Sequence, residues 1–310
     1  MKTPRFLIAW VSAVIGLTGL LRAETLTLAT YNVENYGPAN RVTEAGYRKD
    51  YPKPEAEKAA LRTVLRRINA DVLVLQEMGG AVYLEELRRD LKAEGLDYPH
   101  AVLLAGDDAD RHVALLAKRA PVATTQHGDL EVKYFGQKER VKRGLLEARF
   151  NVGGEELVVF GLHLKSRYTD RPDDPLSAIR RAAEATAVRD RVLQRCPEPA
   201  VTRFVILGDC NDDKASKALG FLQQRGKTEI AEVLAASDSR GETWTHAFRK
   251  NDTYTRVDHV LVSAALRPAV VGGAARIYDG AGWREASDHR AVVVVLEIGT
   301  VTDARAGAKK

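Results

Sequence analysis

The sequence predicts an α/β fold. Three observations carry this expectation: apolar runs rich in β-branched residues recur from Leu26 to about Ile298, stretches with helical spacing interrupt them, and several of the runs end in carboxylates, amides or histidines. No linker divides the chain, so its 310 residues are expected to hold one large domain, 24–300, between a leader, 1–23, and a flexible tail, 301–310, rich in Ala, Lys and Arg.

The leader comes first. Lys2 and Arg5 precede an uncharged apolar run, Phe6 to Leu21, which closes on Leu21-Arg22-Ala23. That order of charge, apolar run and small residue reads as a signal peptide cut near Ala23, hence a secreted or periplasmic protein. The run is slightly short of the roughly 20 residues that span a bilayer. Cleavage therefore ranks ahead of a retained anchor, with no stable membrane insertion afterwards.

Residues 26–31 (LTLATY) read as a strand, and 55–69 set Leu61, Val64, Leu65 and Ile68 at helical spacing. DVLVLQE at 71–77 is a continuous apolar run of the kind that forms a buried central strand. A second amphipathic helix follows, with Leu84, Leu87 and Leu91 on one face. Runs at 99–104, 112–118, 121–126, 144–151 and 156–164, with short Gly, Pro or charged breaks, predict antiparallel neighbours. A long helix over roughly 175–195 leads into a strand at 202–208. A short helix near 214–224 and strands near 243–248, 255–263, 268–277 and 289–297 complete the series.

Basic residues outnumber acidic ones 47 to 42, a formal charge of +5. Loss of Lys2, Arg5 and Arg22 with the leader leaves 44 against 42, a net +2. So small an excess excludes a global field for polyanions, and any attraction must be local. The clusters Lys138–Arg143 and Lys165–Arg171 each read as solvated loops. Cys196 and Cys210 lie at opposite ends of the strand at 202–209, too far apart for a disulfide, which predicts two free, buried thiols.

Carboxylates and amides are costly to desolvate, so apolar strands that end in them aim them at a cleft. Asn32, Gln76-Glu77, His163-Leu164-Lys165, Asp209-Cys210-Asn211 and Ser287-Asp288-His289 occupy such positions, and Asp258 interrupts TRVDHVLV. Singly, each has a dull explanation: a turn for Asn32, a cap for Glu77 or Asp288, a satisfied half-buried histidine for His163. Their joint occurrence favours one site. The carboxylates are hard donors suited to Mg²⁺, with Mn²⁺ or Ca²⁺ as substitutes. HExxH, the P-loop, GxSxG and Cys-x-x-Cys are all missing from the sequence, which disfavours zinc protease, nucleotide triphosphatase, serine hydrolase and thiol-redox chemistry. Phosphodiester hydrolysis needs a positioned water, a base, and cations or donors around the phosphoryl group, and this residue set supplies them.

TYNVENY around Asn32, DVLVLQE ending at Glu77, GLHLKSR around His163, ILGDCND around Asp209 and Asn211, RVDHVLV at Asp258 and SDHRAV at Asp288-His289 agree in order and spacing with one family. Over roughly residues 26–297 the chain resembles the endonuclease/exonuclease/phosphatase superfamily, which contains pancreatic deoxyribonuclease, apurinic-site endonucleases, neutral sphingomyelinases and inositol polyphosphate 5-phosphatases. The resemblance implies a four-layered α/β sandwich with two packed, mainly antiparallel sheets and helices outside, using one or two Mg²⁺ ions. It implies that Glu77 is the principal metal ligand, with Asn32 close by and Asp288 a secondary metal or orienting carboxylate. Asp209 then orients or deprotonates the attacking water, and Asn211 donates to the phosphate. His163 and His289 hydrogen-bond the phosphoryl oxygens, and Asp258 holds one of them, His289 by preference, in its tautomer.

The chain departs from the family pattern in places. Cys210 replaces the usual aromatic of GDFN, and Met78-Gly79-Gly80 follows Glu77 without the arginine that accompanies it in the duplex-digesting nuclease. Arg111, Lys165 and Arg167 are expected phosphate contacts. Export points to an endonuclease acting on extracellular DNA or RNA as a monomer. The alternatives are a sphingomyelinase-like enzyme or an inositol-phosphate-type phosphatase, and less favoured is a non-catalytic binding module of the same fold. For lipid docking, loop 278–286 offers only Tyr278 and Trp283.

Overall fold

The computed structural model describes residues 23–43 and 45–299; the leader, apart from Ala23, and the expected tail lie outside them. Thirteen strands build two sheets: β1 (Glu24–Tyr36), β2 (Val72–Met78), β3 (His100–Leu103), β4 (His112–Ala117), β5 (Ala123–His127), β6 (Leu145–Val152), β7 (Glu155–His163), β8 (Phe204–Asp209), β9 (Glu232–Val233), β10 (Ala236–Ser237), β11 (Asp258–Val262), β12 (Ala275–Ile277) and β13 (Val292–Ile298). One sheet runs β10-β12-β13-β1-β2-β4-β3 and the other β9-β11-β8-β7-β6-β5. The helices are α1 (Glu55–Ile68), α2 (Ala81–Ala93), α3 (Ala178–Arg195), α4 (Lys217–Gln223) and α5 (Trp283–Ala286).

The layers are helix, sheet, sheet, helix, and alternation along each strand explains why. Leu28, Val74, Val205, Leu207 and Val294 point into one apolar layer between the sheets. Their neighbours Ala29, Leu73 and Leu75 point outward against Leu61 and Leu65 of α1 and Leu87 of α2. On the far side Val158, Phe160, Phe204 and Ile206 meet Val188 and Val192 of α3 and Leu219 of α4. Strands covered on both faces read as continuous apolar runs, and each fully buried Leu or Val contributes roughly 1.5–3 kcal/mol. α1 carries Glu55 and Glu57 in its first turn and Arg66 and Arg67 in its last, matching its dipole, and left-handed Asn69 ends it.

Strand direction places the chemistry. β1 pairs parallel with β2, and β7 parallel with β8. β13, β4, β6 and β11 run antiparallel to β1, β2, β7 and β8 respectively. The ends of the first four strands and the starts of their antiparallel partners therefore share one edge of the sandwich.

The strand expected over 268–277 shrinks to Ala275–Ile277, preceded by two short 3-10 turns. Pro268 supplies no amide donor, and Gly272 adopts φ 68°, so the run cannot stay extended. Two surface hairpins, Ala39–Thr43 with Gly46–Tyr51 and Glu131–Tyr134 with Gln137–Arg140, were not expected, because their strands are short and polar. Cys196 and Cys210 are buried and free.

Candidate active site

Asn32 lies in the last third of β1 and Asp209 at the end of β8, and Asn32 Nδ2 donates to Asp209 Oδ2 at 3.0 Å, tying the two sheets together at this edge. His163, at the end of β7, lies with Nε2 3.4 Å from the same oxygen. Asn211 donates its backbone N–H to Asp209 Oδ1 at 2.8 Å and its side-chain N–H to Leu164 O at 3.0 Å. The end of β8 that carries Asp209 depends on Gly208: its φ is 151°, and a Cβ would stand 2.0 Å from Leu162 O of the neighbouring strand.

The other half of the site comes from β11 and the segment before β13. Asp258 starts β11 and its Oδ2 bonds His289 Nδ1 at 2.8 Å. Ser287 Oγ donates to Asn32 O at 2.8 Å and accepts from His289 N at 3.1 Å, which fixes the Ser287-Asp288-His289 turn against β1. Ligand atoms of Asp209, Asp258 and His289 all lie within 4.8 Å of one another, as do those of His246, Asp288 and His289. Glu77 belongs to neither grouping. It is half-buried at the end of β2 and accepts from Asn35 N at 3.0 Å.

Several of these residues hold left-handed backbones without being glycine: Glu34, Asn35, Glu77 and Asn211 have φ between 49° and 59°. Such conformations cost on the order of 1 kcal/mol or more each and cluster where side chains must be aimed.

The electrostatics separate the two histidines. Burial, and next the charge of Arg143, hold His163 well below the usual imidazole range, so it is neutral. Burial alone would lower His289 as well, but Asp258 against its Nδ1 outweighs that and holds it well above the range, as an imidazolium. Asp209 is pushed up to about 7 by burial and by the neighbouring Asp258 carboxylate. Asp258 Oδ1 is buried and has no hydrogen-bond partner. Two acids packed together in this way, one with an orphaned oxygen, fit a divalent cation.

Of the expected phosphate contacts, Lys165 turns back on its own loop: Nζ bonds Ser166 O at 3.2 Å and also Tyr168 O. Arg167 pairs with Asp212 at 3.6 Å, and Arg111 lines a small cavity beside Gly79 and Gly80. Three residues that sequence reasoning passed over also stand at this edge. Glu34 accepts from Asp288 N at 2.9 Å, and its carboxyl is raised by burial and then by Asp288. His246 lies with Nε2 3.6 Å from Asp288 Oδ2 and its ring 4.6 Å from that of His289. Arg143, just before β6, is 6 % exposed, pairs with Asp108 at 3.0 Å, and keeps Nε and Nη1 unpartnered.

Arg143 lies inside the basic run read as a solvated loop, and its burial corrects that reading. Buried Glu184 of α3 accepts from both Lys142 N and Lys165 N, at 3.2 and 2.8 Å, and so locks the loops carrying Arg143 and following His163. TYNVENY contains Glu34, but the run LTLATY before it singles out Asn32 as the first polar residue and leaves Glu34 unmarked, and TWTH contains His246 with no apolar run before it.

A four-layered sandwich with acids, amides and histidines at one edge is the architecture of a metal-dependent phosphoric ester hydrolase. The chain belongs to the Endonuclease/Exonuclease/phosphatase family, whose model matches residues 29–289. Among curated proteins none matches the sequence. Solved structures share the fold at low identity. A beta toxin variant from Staphylococcus aureus with bound magnesium ions is 16% identical over 87% of this chain and 98% of its own, with a TM-score of 0.58. Sphingomyelinase C from Streptomyces griseocarneus is 16% identical over 88% and 99%, at 0.59. Truncated TDP2 from Caenorhabditis elegans is 13% identical over 88% and 98%, also at 0.59.

Proposed function

We propose that the chain is an exported, Mg²⁺-dependent phosphodiesterase that cleaves nucleic acid as an endonuclease. The observation that carries the hydrolytic reading is the buried Asp209–Asp258–His289 grouping with neutral His163 at 3.4 Å from Asp209. It supplies, within one small volume, a carboxyl near neutral pKa for the attacking water and a cationic donor for a phosphoryl oxygen. Asp258 orients His289 by accepting from Nδ1, leaving Nε2 as the donor towards substrate. The unpartnered N–H groups of Arg143 are further donors for the equatorial oxygens, whereas Asn211 gives its side-chain amide to Leu164 O at 3.0 Å and Asp209 Oδ2 at 3.3 Å and would have to release one of them to reach the phosphate. Glu77, Glu34 and Asp288 are the acids that would hold the metal ion; when bound, it would supply Lewis-acid stabilisation of the charge developing on the phosphoryl oxygens. The leader supports export, and among the described residues no helix is long and apolar enough to cross a membrane.

A lipid phosphodiesterase is the second reading, favoured by one feature. Val42 and Tyr47 of the hairpin beside β1 are 85% and 57% exposed, between Arg41 and Arg48. Loop 278–286, which offered only Tyr278 and Trp283 for docking, turns inward: Tyr278 is buried and Trp283 half-buried. Residues 24–310 should hydrolyse bis-p-nitrophenyl phosphate and either DNA or RNA in Mg²⁺ and stop in EDTA. Turnover confined to sphingomyelin vesicles would move the assignment to the lipid reading.

A further inference from the structure

Beside the proposed active site is an aromatic recess of about 870 Å³ that the hydrolytic chemistry does not use. Its walls include Trp244, Tyr254 and Trp283, with ring centroids 4.8 Å (Trp244–Tyr254) and 5.4 Å (Trp244–Trp283) apart. Tyr254 is 54% exposed. Arg240, Arg249 and Arg284 also line it, and among the described residues neither Arg249 nor Arg284 has a carboxylate partner. The one acid in the lining, Glu242, is taken: its Oε2 accepts from Trp244 Nε1 at 2.9 Å and from Arg240 at 3.0 Å. Arg290 closes the recess from behind, its guanidinium 3.5 Å from the Trp244 ring centre and its Nη1 paired with buried Asp238 at 2.7 Å.

The recess and the proposed site share a wall. Ala247 lines the recess and donates its N–H to Asp288 O at 2.9 Å, while Arg249 Nη2 donates to Arg284 O at 2.6 Å. Only Thr245 separates Trp244 from His246 at the site, a span of roughly 7 Å in extended chain. Aromatic faces stack on any base, and unpaired guanidinium groups attract the flanking phosphates. A recess bounded by two half-buried indoles and the exposed Tyr254 ring takes a base only when it is unstacked, which a single strand offers and a duplex does not.

Resting on the phosphodiesterase reading, we propose that this recess is a subsite for a nucleobase of single-stranded nucleic acid, next to the phosphate that His289 would contact. The test is the affinity of residues 24–310 for a fluorescent single-stranded oligonucleotide in EDTA, set beside turnover of bis-p-nitrophenyl phosphate in Mg²⁺. Tyr254→Ala and Arg284→Ala change exposed side chains and should each weaken oligonucleotide binding about fivefold or more, with turnover of the small, base-free substrate unchanged. Unaltered affinity in both variants, or a duplex bound as tightly as the single strand, overturns the subsite. So does loss of sphingomyelin turnover in Tyr254→Ala with oligonucleotide affinity intact, which would give the recess to a lipid. A wild-type chain that hydrolyses no phosphodiester at all overturns the parent reading instead.

Discussion

His289 and His163 are both buried histidines within reach of one carboxylate, yet their environments drive them to opposite charge states. His289 is cationic because Asp258 faces its Nδ1, whereas His163 is neutral because it is buried with Arg143 nearby and its own Nδ1 unpartnered. Asp258→Asn keeps the shape but removes the charge that sustains the imidazolium. Its kcat on bis-p-nitrophenyl phosphate should fall at least about 10²-fold, approaching that of His289→Ala. A near wild-type rate in Asp258→Asn would separate the two residues functionally. Arg143→Ala removes two free N–H donors and should lower kcat by about 10²-fold as well, an effect single-turnover kinetics would locate in the chemical step. Polar residues that close an apolar run, such as Asp209 and His163, were legible from the sequence. Arg143 was not, because a basic loop residue is normally solvated, and only the packing of Asp108 and Glu184 shows that this one is buried.

At the scale of elements, the central strands were readable because burial on both faces leaves almost no polar residue in them, as in β2 and β8. The polar hairpins were not, since neither pattern nor propensity distinguishes them from loop, and the 268–277 run reads as a strand although Pro268 and left-handed Gly272 break it. Phe160 illustrates what the buried strands contribute: it packs edge-on against Phe204, ring centres 6.1 Å apart, under α3. Phe160→Ala should destabilise the fold by about 3–5 kcal/mol in denaturant titration, a cost from lost contacts and the cavity left behind. Gly208→Ala tests the close strand contact that precedes Asp209 in β8. A methyl group there meets the Leu162 carbonyl, so the variant should lose activity through displacement of Asp209, or fail to fold.

Across the whole molecule, stability and chemistry rest on different charge networks. Far from the proposed site, burial would raise Glu147, but hydrogen bonds from His127, Arg195 and Arg149 outweigh it and hold the carboxyl down to about 2. Because its folded pKa is depressed, Glu147 stabilises the fold fully above the ordinary value of 4.5 and progressively less as pH falls towards about 2. The Tm difference between wild type and Glu147→Gln should therefore be largest near neutrality and shrink through that window; a constant difference would contradict the assignment. The overall layering was legible from the order of elements and the family resemblance together, whereas the meeting of β1 with β8 through Asn32 and Asp209 is a long-range contact that no local pattern encodes. That junction is where the central claim is most exposed. Turnover of bis-p-nitrophenyl phosphate in Mg²⁺ by wild type and by Asp209→Asn, with folding checked by circular dichroism, tests it directly. The wild type should hydrolyse this diester in an EDTA-sensitive reaction and the folded variant should lose at least about 10²-fold; equal rates in the two proteins would remove Asp209 from the chemistry.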